Sequence, residues 1–356
     1  MHTPLLDLTG LTREALTSLV VEQLGEKPFR ARQLWSWLHV KLAQHLDEMS
    51  DLSIDFRRKL SALSTPLRPE VSTHQISRDG TEKWLLRLSD GQQIETVYIP
   101  EDERGTLCIS SQVGCTLSCP FCHTGAQGFA RNLTPSEIVQ QVLFARRTLA
   151  ARDKRVTNIV LMGMGEPLYN YEAVRDAVLI LLDDSGLAFG TRKVTLSTAG
   201  LLPKMEQAGR ELGVNLAISL HAVRDTLRDE LVPLNKKYNL QALRAATLRY
   251  PLKSGRRVTW EYVMLHGVND SEDDARLFVS FLKDIPSKIN LIPFNPWPGV
   301  PYQSSSMTRI AAFQKILYQA GFVTVIRDRR GEDIDAACGQ LKGAVQGARP
   351  RPPGAS

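Results

Sequence analysis

Apolar residues along this chain follow three different rhythms. In the first seventy positions, "TREALTSLVVEQL" and "FRARQLWSWLHVKLAQHL" place Leu and Trp three or four apart among Arg, Lys and Gln. That is the spacing of one buried helix face. Residues 71–100 change period: "KWLLRLSDGQQIETVYIP" reads as two short strands joined at Asp90-Gly91, a pair suited to a hairpin turn. From about 107 to 330 the chain alternates strand-like runs with amphipathic helices. The runs are "TLCIS", "NIVLMGMG", "KVTLSTAG", "NLAISLHA", "RVTWEYVML" and "INLIPFNP". One helix has a clear start, with Thr134 as N-cap, Pro135 in the first turn and Glu137 completing a capping box. Its apolar face is Ile138, Val142, Ala145 and Leu149. Another, "TRIAAFQKILYQAGF", begins after Met307 and stops at Gly321.

Six β/α repeats predict a parallel sheet, either doubly wound or curled into a partial barrel. In both, reactive groups gather at the carboxyl ends of the strands. Glu166, Ser197, Ser219, His221 and Asn295 all fall there. The helical beginning, with its basic stretch "KPFRAR", reads equally as a structural cap or as an RNA-binding face. The tail "GARPRPPGAS" has the composition of a segment without fixed structure.

Composition narrows the class without choosing the chemistry. Of 356 residues, 43% are hydrophobic and 23% charged, enough apolar mass for a large core. No run approaches the roughly 18–20 apolar residues of a membrane helix. The start "MHTPLLDLTG" lacks the basic and apolar regions of a secretory signal, so a cytoplasmic location is expected. A net charge of +6 is compatible with an RNA partner, though many basic enzymes never meet one. The five cysteines, an odd number, speak against a disulfide framework and for metal binding or redox chemistry.

Four of the five lie in "CISSQVGCTLSCPFCHTG", with Cys115, Cys119 and Cys122 spaced C-x3-C-x2-C directly after the first strand of the repeats. Three thiolates in one loop can hold three corners of a [4Fe–4S] cube, which leaves one iron open if no fourth thiolate joins them. Two other readings stand beside this one. Zinc would need His123 as a fourth ligand, and that residue follows Cys122 too closely to complete a tetrahedron with ease. "CPFC" also has the form of a redox dithiol, against which Cys115 and the length of the chain both count.

A C-x3-C-x2-C loop after the first strand of a β/α barrel resembles the radical S-adenosylmethionine (SAM) superfamily. "MGMGEP" at 162–167 resembles its SAM amino-group motif, and is a poor dinucleotide fingerprint because Leu168 stands where a glycine is needed. Further segments narrow the likeness: "GFARNLTPSEI", "VTLSTAG", "ISLHA", "VPLNKKY", "YVMLHGVND", "NLIPFNP" and "GEDIDAACGQL". Together they resemble the RlmN/Cfr RNA methyltransferases over about residues 10–345.

The resemblance implies an α/β fold, a partial (β/α)6 radical SAM barrel with a small N-terminal helical domain and a β-hairpin extension. The divisions fall at 1–70, 71–106, 107–345 and a tail at 346–356. It implies a [4Fe–4S] cluster on Cys115, Cys119 and Cys122. SAM contacts are expected from Gly165, Glu166, Ser197, Ser219, Leu220, His221 and Asn295, with two SAM molecules consumed per turnover. The target it implies is C2 of adenosine in RNA, an aromatic carbon with no lone pair to attack a sulfonium methyl. By resemblance, Cys338 first accepts a methyl group as an ordinary nucleophile, and its radical form adds to C2. Glu95 then removes the C2 proton, and Cys108 attacks the sulfur of Cys338 to form a disulfide that must be re-reduced. Without the likeness, Cys108 would read as an inert buried thiol, Cys338 as packing and Glu95 as a solvated hairpin residue.

The implied partners are 23S rRNA at the peptidyl-transferase centre, the adenosine 3′ of the anticodon in some tRNAs, and an electron donor such as flavodoxin or ferredoxin. No membrane is involved, and the protein is expected to act as a monomer. The base must leave its stack to reach a buried site. Arg327, Arg329 and Arg330, just before Cys338, are candidates to steer phosphate. The Cfr type, which methylates C8 of the same rRNA adenosine, is the alternative; Pro167 and "AQGFARNL" look closer to the C2 type.

Overall fold

The computed structural model describes residues 5–64 and 69–343 of the chain; the tail at 346–356 lies outside the described residues. Helices Arg13–Ser18, Pro28–His39 and Ile54–Leu63 form the N-terminal part, as the spacing predicts. Leu16, Leu34, Leu38, Phe56 and Leu60 are each at most 1% exposed within it. It docks on the rest through close packing: a Cβ on Gly10 would meet Ser136 at 2.3 Å, and one on Gly186 would meet Trp35 at 2.8 Å.

Strands β1 (Glu70–Ile76), β2 (Glu82–Arg87), β3 (Gln93–Pro100) and β4 (Gly105–Cys108) follow as an antiparallel meander. The β2–β3 turn is the expected one: Gly91 takes φ +83° and Leu88 N–H donates to Gln92 O at 2.8 Å. The hairpin is larger than its pattern indicated, because β1 adds a third strand. β1 is exposed at almost every position and so has no alternation to read. Nor is the hairpin separate from the barrel, since β3 pairs with β4 and joins both to one ten-stranded sheet.

Strands β5 (Gln112–Gly114) and β6 (Phe129–Asn132) pair as a small ribbon around the cysteine loop. The other five expected runs are β7 (Asn158–Leu161), β8 (Val194–Thr198), β9 (Asn215–Ser219), β10 (Val258–Met264) and β11 (Ser287–Pro293). They line up parallel in chain order after β4. A seventh parallel strand, β12 (Val323–Ile326), pairs with β11 and was not foreseen.

The helix Pro135–Ala150 between β4 and β7 carries the expected capping box. Thr134 Oγ1 accepts from Glu137 N at 3.2 Å, and Glu137 Oε2 accepts from Thr134 N at 2.9 Å, a cap contributing about 1 kcal/mol. Ile138, Val142, Ala145 and Leu149 are fully buried. The helix Met307–Gln319 ends as expected before Gly321, which takes φ +87°. Among the described residues no helix is long and apolar enough to cross a membrane.

Candidate active site

All six expected strands end on the same rim, and two cavities open there. The first, about 180 Å³, is lined by Cys115, Cys119 and Cys122 together with Glu166, Ser197 and Ser219, and also by Gly165, His221 and Cys338. The second, about 90 Å³, is lined by Cys108 and Cys338 with Arg327, Arg329, Arg330 and Asn295. Cys122 and Cys338 belong to both walls. The solitary late thiol therefore stands between the three loop thiols on one side and Cys108 on the other.

The segment "ISSQ" explains how the cysteine loop is aimed. Ser110 Oγ donates to Glu95 O at 2.6 Å and accepts from Met164 N at 2.9 Å, tying β3 to "MGMGEP" across β4. Gln112 Oε1 accepts from both Thr116 N at 3.1 Å and Glu166 N at 3.0 Å, fastening the cysteine loop to that motif. Only glycine fits the crossing. A Cβ on Gly163 would meet Ile109 O at 2.7 Å, and Gly165, at φ +102°, would meet Gln112 at 2.6 Å.

Burial pushes the Cys115, Cys119 and Cys122 thiols up, and for Cys115 and Cys119 the neighbouring thiols push them further. Three such groups become thiolates together only against a multiply charged cation centre. Among the described residues no three Cys, His, Asp or Glu side chains converge as ligands of a single metal ion. The His123 ring faces Trp297 rather than the thiols. The donor set fits a three-thiolate cluster better than zinc.

Glu166 is buried, with Oε2 accepting from Ala199 N at 2.8 Å and Oε1 from Leu168 N at 3.1 Å; burial pushes its carboxyl up. His221 sits in the left-handed region at φ +60°, uncommon for a side-chain-bearing residue and a form of strain that gathers at functional sites. Its Nδ1 accepts from Val263 N at 3.1 Å, so in the neutral ring the proton is on Nε2. Burial, then Arg228, lowers its pKa to about 3. It is a neutral donor at any ordinary pH.

Two models of known families match the chain: the radical SAM superfamily over residues 109–279 and the ribosomal RNA large subunit methyltransferase N-terminal domain over 6–65. A dual-specificity RNA methyltransferase RlmN of Rhodopseudomonas palustris is 53% identical, the match spanning 95% of this chain and 90% of that one. The RlmN of Rhodospirillum rubrum is 52% identical over 94% and 80%. A crystal structure of a radical SAM methyltransferase from Sphaerobacter thermophilus superposes with a TM-score of 0.91 at 43% identity, covering 95% of this chain and 99% of that one. The chain belongs to the RlmN family. It is a radical SAM RNA methyltransferase.

Within this RlmN-family barrel, not every expected site residue lines the first cavity. The Leu220 side chain is fully buried, and its carbonyl accepts from Arg228 Nε at 3.0 Å. Asn295 lines the second cavity, donating from Nδ2 to Cys338 O at 3.2 Å, with its buried Oδ1 unpartnered. Glu95 lines neither. Its Oε1 is 3.0 Å from Lys83 Nζ, and its Oε2 accepts from Lys342 N at 2.7 Å. It nevertheless shares a face of β3 with Val97 and Ile99, which do line the thiol cavity.

Two residues escaped the sequence reading. Glu261 on β10 lies in register with Ser219 on β9 and Asn290 on β11, accepts from Asn290 Nδ2 at 2.8 Å, and lines the first cavity. A lone charge in the apolar run "VTWEYVML" was the available signal. Arg228, 1% exposed, donates to Ala199 O at 2.8 Å, Ser219 O at 3.2 Å and Leu220 O, fixing the ends of β8 and β9. Its partners lie seven to twenty-nine positions away and outside its own helix, so no period marked it.

Proposed function

We propose that this chain methylates C2 of adenosine in 23S rRNA and in tRNA, carrying the methyl group on Cys338. The observation that carries the reading is the position of Cys338, more than a third exposed, on the shared wall of the cluster-side cavity and the Cys108 cavity. A methyl on its sulfur is within reach of chemistry on one side and of a resolving thiol on the other.

Cys115, Cys119 and Cys122 would hold a [4Fe–4S] cluster, which when bound supplies the electron that cleaves SAM. Gly165, Glu166, Ser197, Ser219 and His221 would hold SAM by hydroxyl, carboxylate and imidazole groups facing the first cavity; Leu220 contributes backbone. Asn295 would orient the Cys338 loop and meet SAM from the second cavity. Cys338 accepts a methyl group, delivers the carbon to C2 and is freed when Cys108 bonds to its sulfur. Burial pushes the Cys108 thiol up to about 12, so it attacks only after losing a proton, and Arg327 pulls in the favourable direction for both thiols. Burial raises the Glu95 carboxyl despite Lys83, which suits a base that accepts a proton near neutral pH. For that role the Lys342 amide must first leave its carboxylate. A small redox protein such as flavodoxin or ferredoxin supplies electrons, and the helical N-terminal part adds an RNA-contacting face.

The test is nucleoside mass spectrometry of rRNA and tRNA incubated with cluster-loaded protein, SAM and reductant. 2-Methyladenosine is the expected product; 8-methyladenosine, or no methylated adenosine, overturns the reading. Cys108→Ala should trap a covalent RNA–protein adduct on denaturing gels. Replacing Arg327, Arg329 and Arg330 with Gln should lower RNA affinity and flatten its salt dependence.

A further inference from the structure

A basic cluster and an aromatic pair both lie against the segment that carries Cys338. In the cluster, Arg327, Arg329 and Arg330 line the thiol cavity. In the pair, His123 and Trp297 lie face to face, with ring centroids 4.7 Å apart and planes 9° apart. The rings come from different segments: His123 follows Cys122 and opens the helix His123–Gln127, and Trp297 lies two residues beyond Asn295. The Trp297 ring is pinned at its edge, and His123 is held by its backbone. Trp297 Nε1 donates to Phe121 O at 3.0 Å. His123 N–H donates to Gly339 O at 2.7 Å, one residue from Cys338, and Gln340 Nε2 donates to Pro296 O at 2.9 Å. Both side chains remain partly exposed.

A pair of core rings would be buried, and a surface pair would be free to turn. This pair is neither. Its orientation is set before anything binds, so stacking a third ring on it costs little ordering entropy. Arg327, Arg329 and Arg330 outnumber Asp328 in the lining of the Cys338 cavity, so a polyanion is favoured over an apolar peptide. Flipping an adenosine towards Cys338 also strips a stacking partner from the base beside it. A fixed aromatic face against the Cys338 segment replaces that lost partner.

We propose that the His123–Trp297 pair is a stacking platform for the unstacked base adjacent to the target adenosine, making these two residues determinants of RNA recognition. The inference rests on the RNA methyl-transfer reading above.

The test uses cluster-loaded full-length protein and an RNA hairpin containing the target adenosine. Trp297→Ala and His123→Ala should bind it roughly 5- to 150-fold more weakly, the range of one lost base–aromatic stack. Trp297→Phe and His123→Phe should stay close to parental affinity. Iron content and RNA-independent methylation of Cys338 by SAM should be unchanged in all four. An abasic nucleotide beside the target should weaken binding to the parental protein and add no further loss in Trp297→Ala. Parental RNA affinity in both alanine variants, or equal abasic penalties in parental and variant proteins, overturns the proposal. So does an affinity loss that neither phenylalanine restores or that follows loss of iron, because the pair is then only a clamp on the cysteine loop. Should the parental protein fail to methylate Cys338 at all, the failure belongs to the functional reading instead.

Discussion

The barrel strands and the segment from Gly331 to Gly343 reach the same site by opposite means. On the strands, side chains such as Ser219 and Glu261 are placed by ladder register and by the burial of Trp260, Tyr262 and Leu291 on neighbouring positions. The segment carrying Cys338 is irregular apart from one short 3₁₀ turn, and it is held by polar bonds and by the burial of Ala336, Ala337 and Leu341. Gly331 N–H donates to Asp79 Oδ2 at 2.9 Å, Arg78 N–H to Asp333 Oδ2 at 3.2 Å, Thr124 Oγ1 to Leu341 O at 2.7 Å and Gln127 Nε2 to Gly343 O at 2.9 Å. A polar bond that can be exchanged for water contributes only about 1 kcal/mol, whereas stripping a strand from a close-packed sheet costs far more. The side chains on the barrel are fixed by the sheet, and Cys338, which on the proposed reading serves two neighbours, sits on an irregular segment held mostly by single contacts.

The largest expected effect comes from breaking the rigid side. Arg228→Met leaves three carbonyls at the ends of β8 and β9 without their buried donor and should destabilise the protein by about 3 kcal/mol or more. A large fall in the thermal midpoint, partly recovered by Arg228→Lys, is the outcome to look for. An unchanged midpoint would show that the rim does not depend on this cation.

The next effect lies where barrel and segment meet. Lys83 Nζ is 3.0 Å from Glu95 and 3.2 Å from Asp335 O, and both side chains of the ion pair are about 5% exposed. Lys83→Met removes the cation that holds the Glu95 pKa down, so that pKa rises further above the usual carboxylate range. A carboxylate is a base only when ionised, so in the role proposed for Glu95 methylation that rises with pH should begin its rise at higher pH in the variant. A pH–rate profile that does not move removes Glu95 from the rate-determining chemistry. The smallest effect is expected on the segment alone. Ser77→Ala deletes the hydroxyl that donates to Asp333, and should speed amide exchange at Gly331–Asp335 several-fold while leaving the thermal midpoint almost unchanged. Equal exchange in both proteins would mean that the segment is fastened elsewhere.

What was legible before folding followed the range of the interactions. The cap at Thr134, the stop at Gly321 and the turn at Asp90-Gly91 are settled among residues within four positions of each other, and all three appear as expected. β12 was missed because "VTVI" has two exposed valines and only one buried position, so alternation is faint and pairing with β11 decides it. The β5–β6 ribbon is three and four residues long, too short for any period.

By itself the sequence determined the repeating strand–helix order, the spacing of Cys115, Cys119 and Cys122 within one loop, and the glycines of "MGMGEP", because each depends on neighbours along the chain. Only the tertiary structure decided that Cys338 meets both Cys108 and the cysteine loop, that Glu95 is tied to a partner 247 residues away, and that His123 stacks on Trp297. Those pairs are joined by the order of strands in the sheet and by the crossing of the chain after β12 back to the β1–β2 turn. No local pattern records which loop a distant segment will reach, since the free energy that selects it is the burial of the whole sheet.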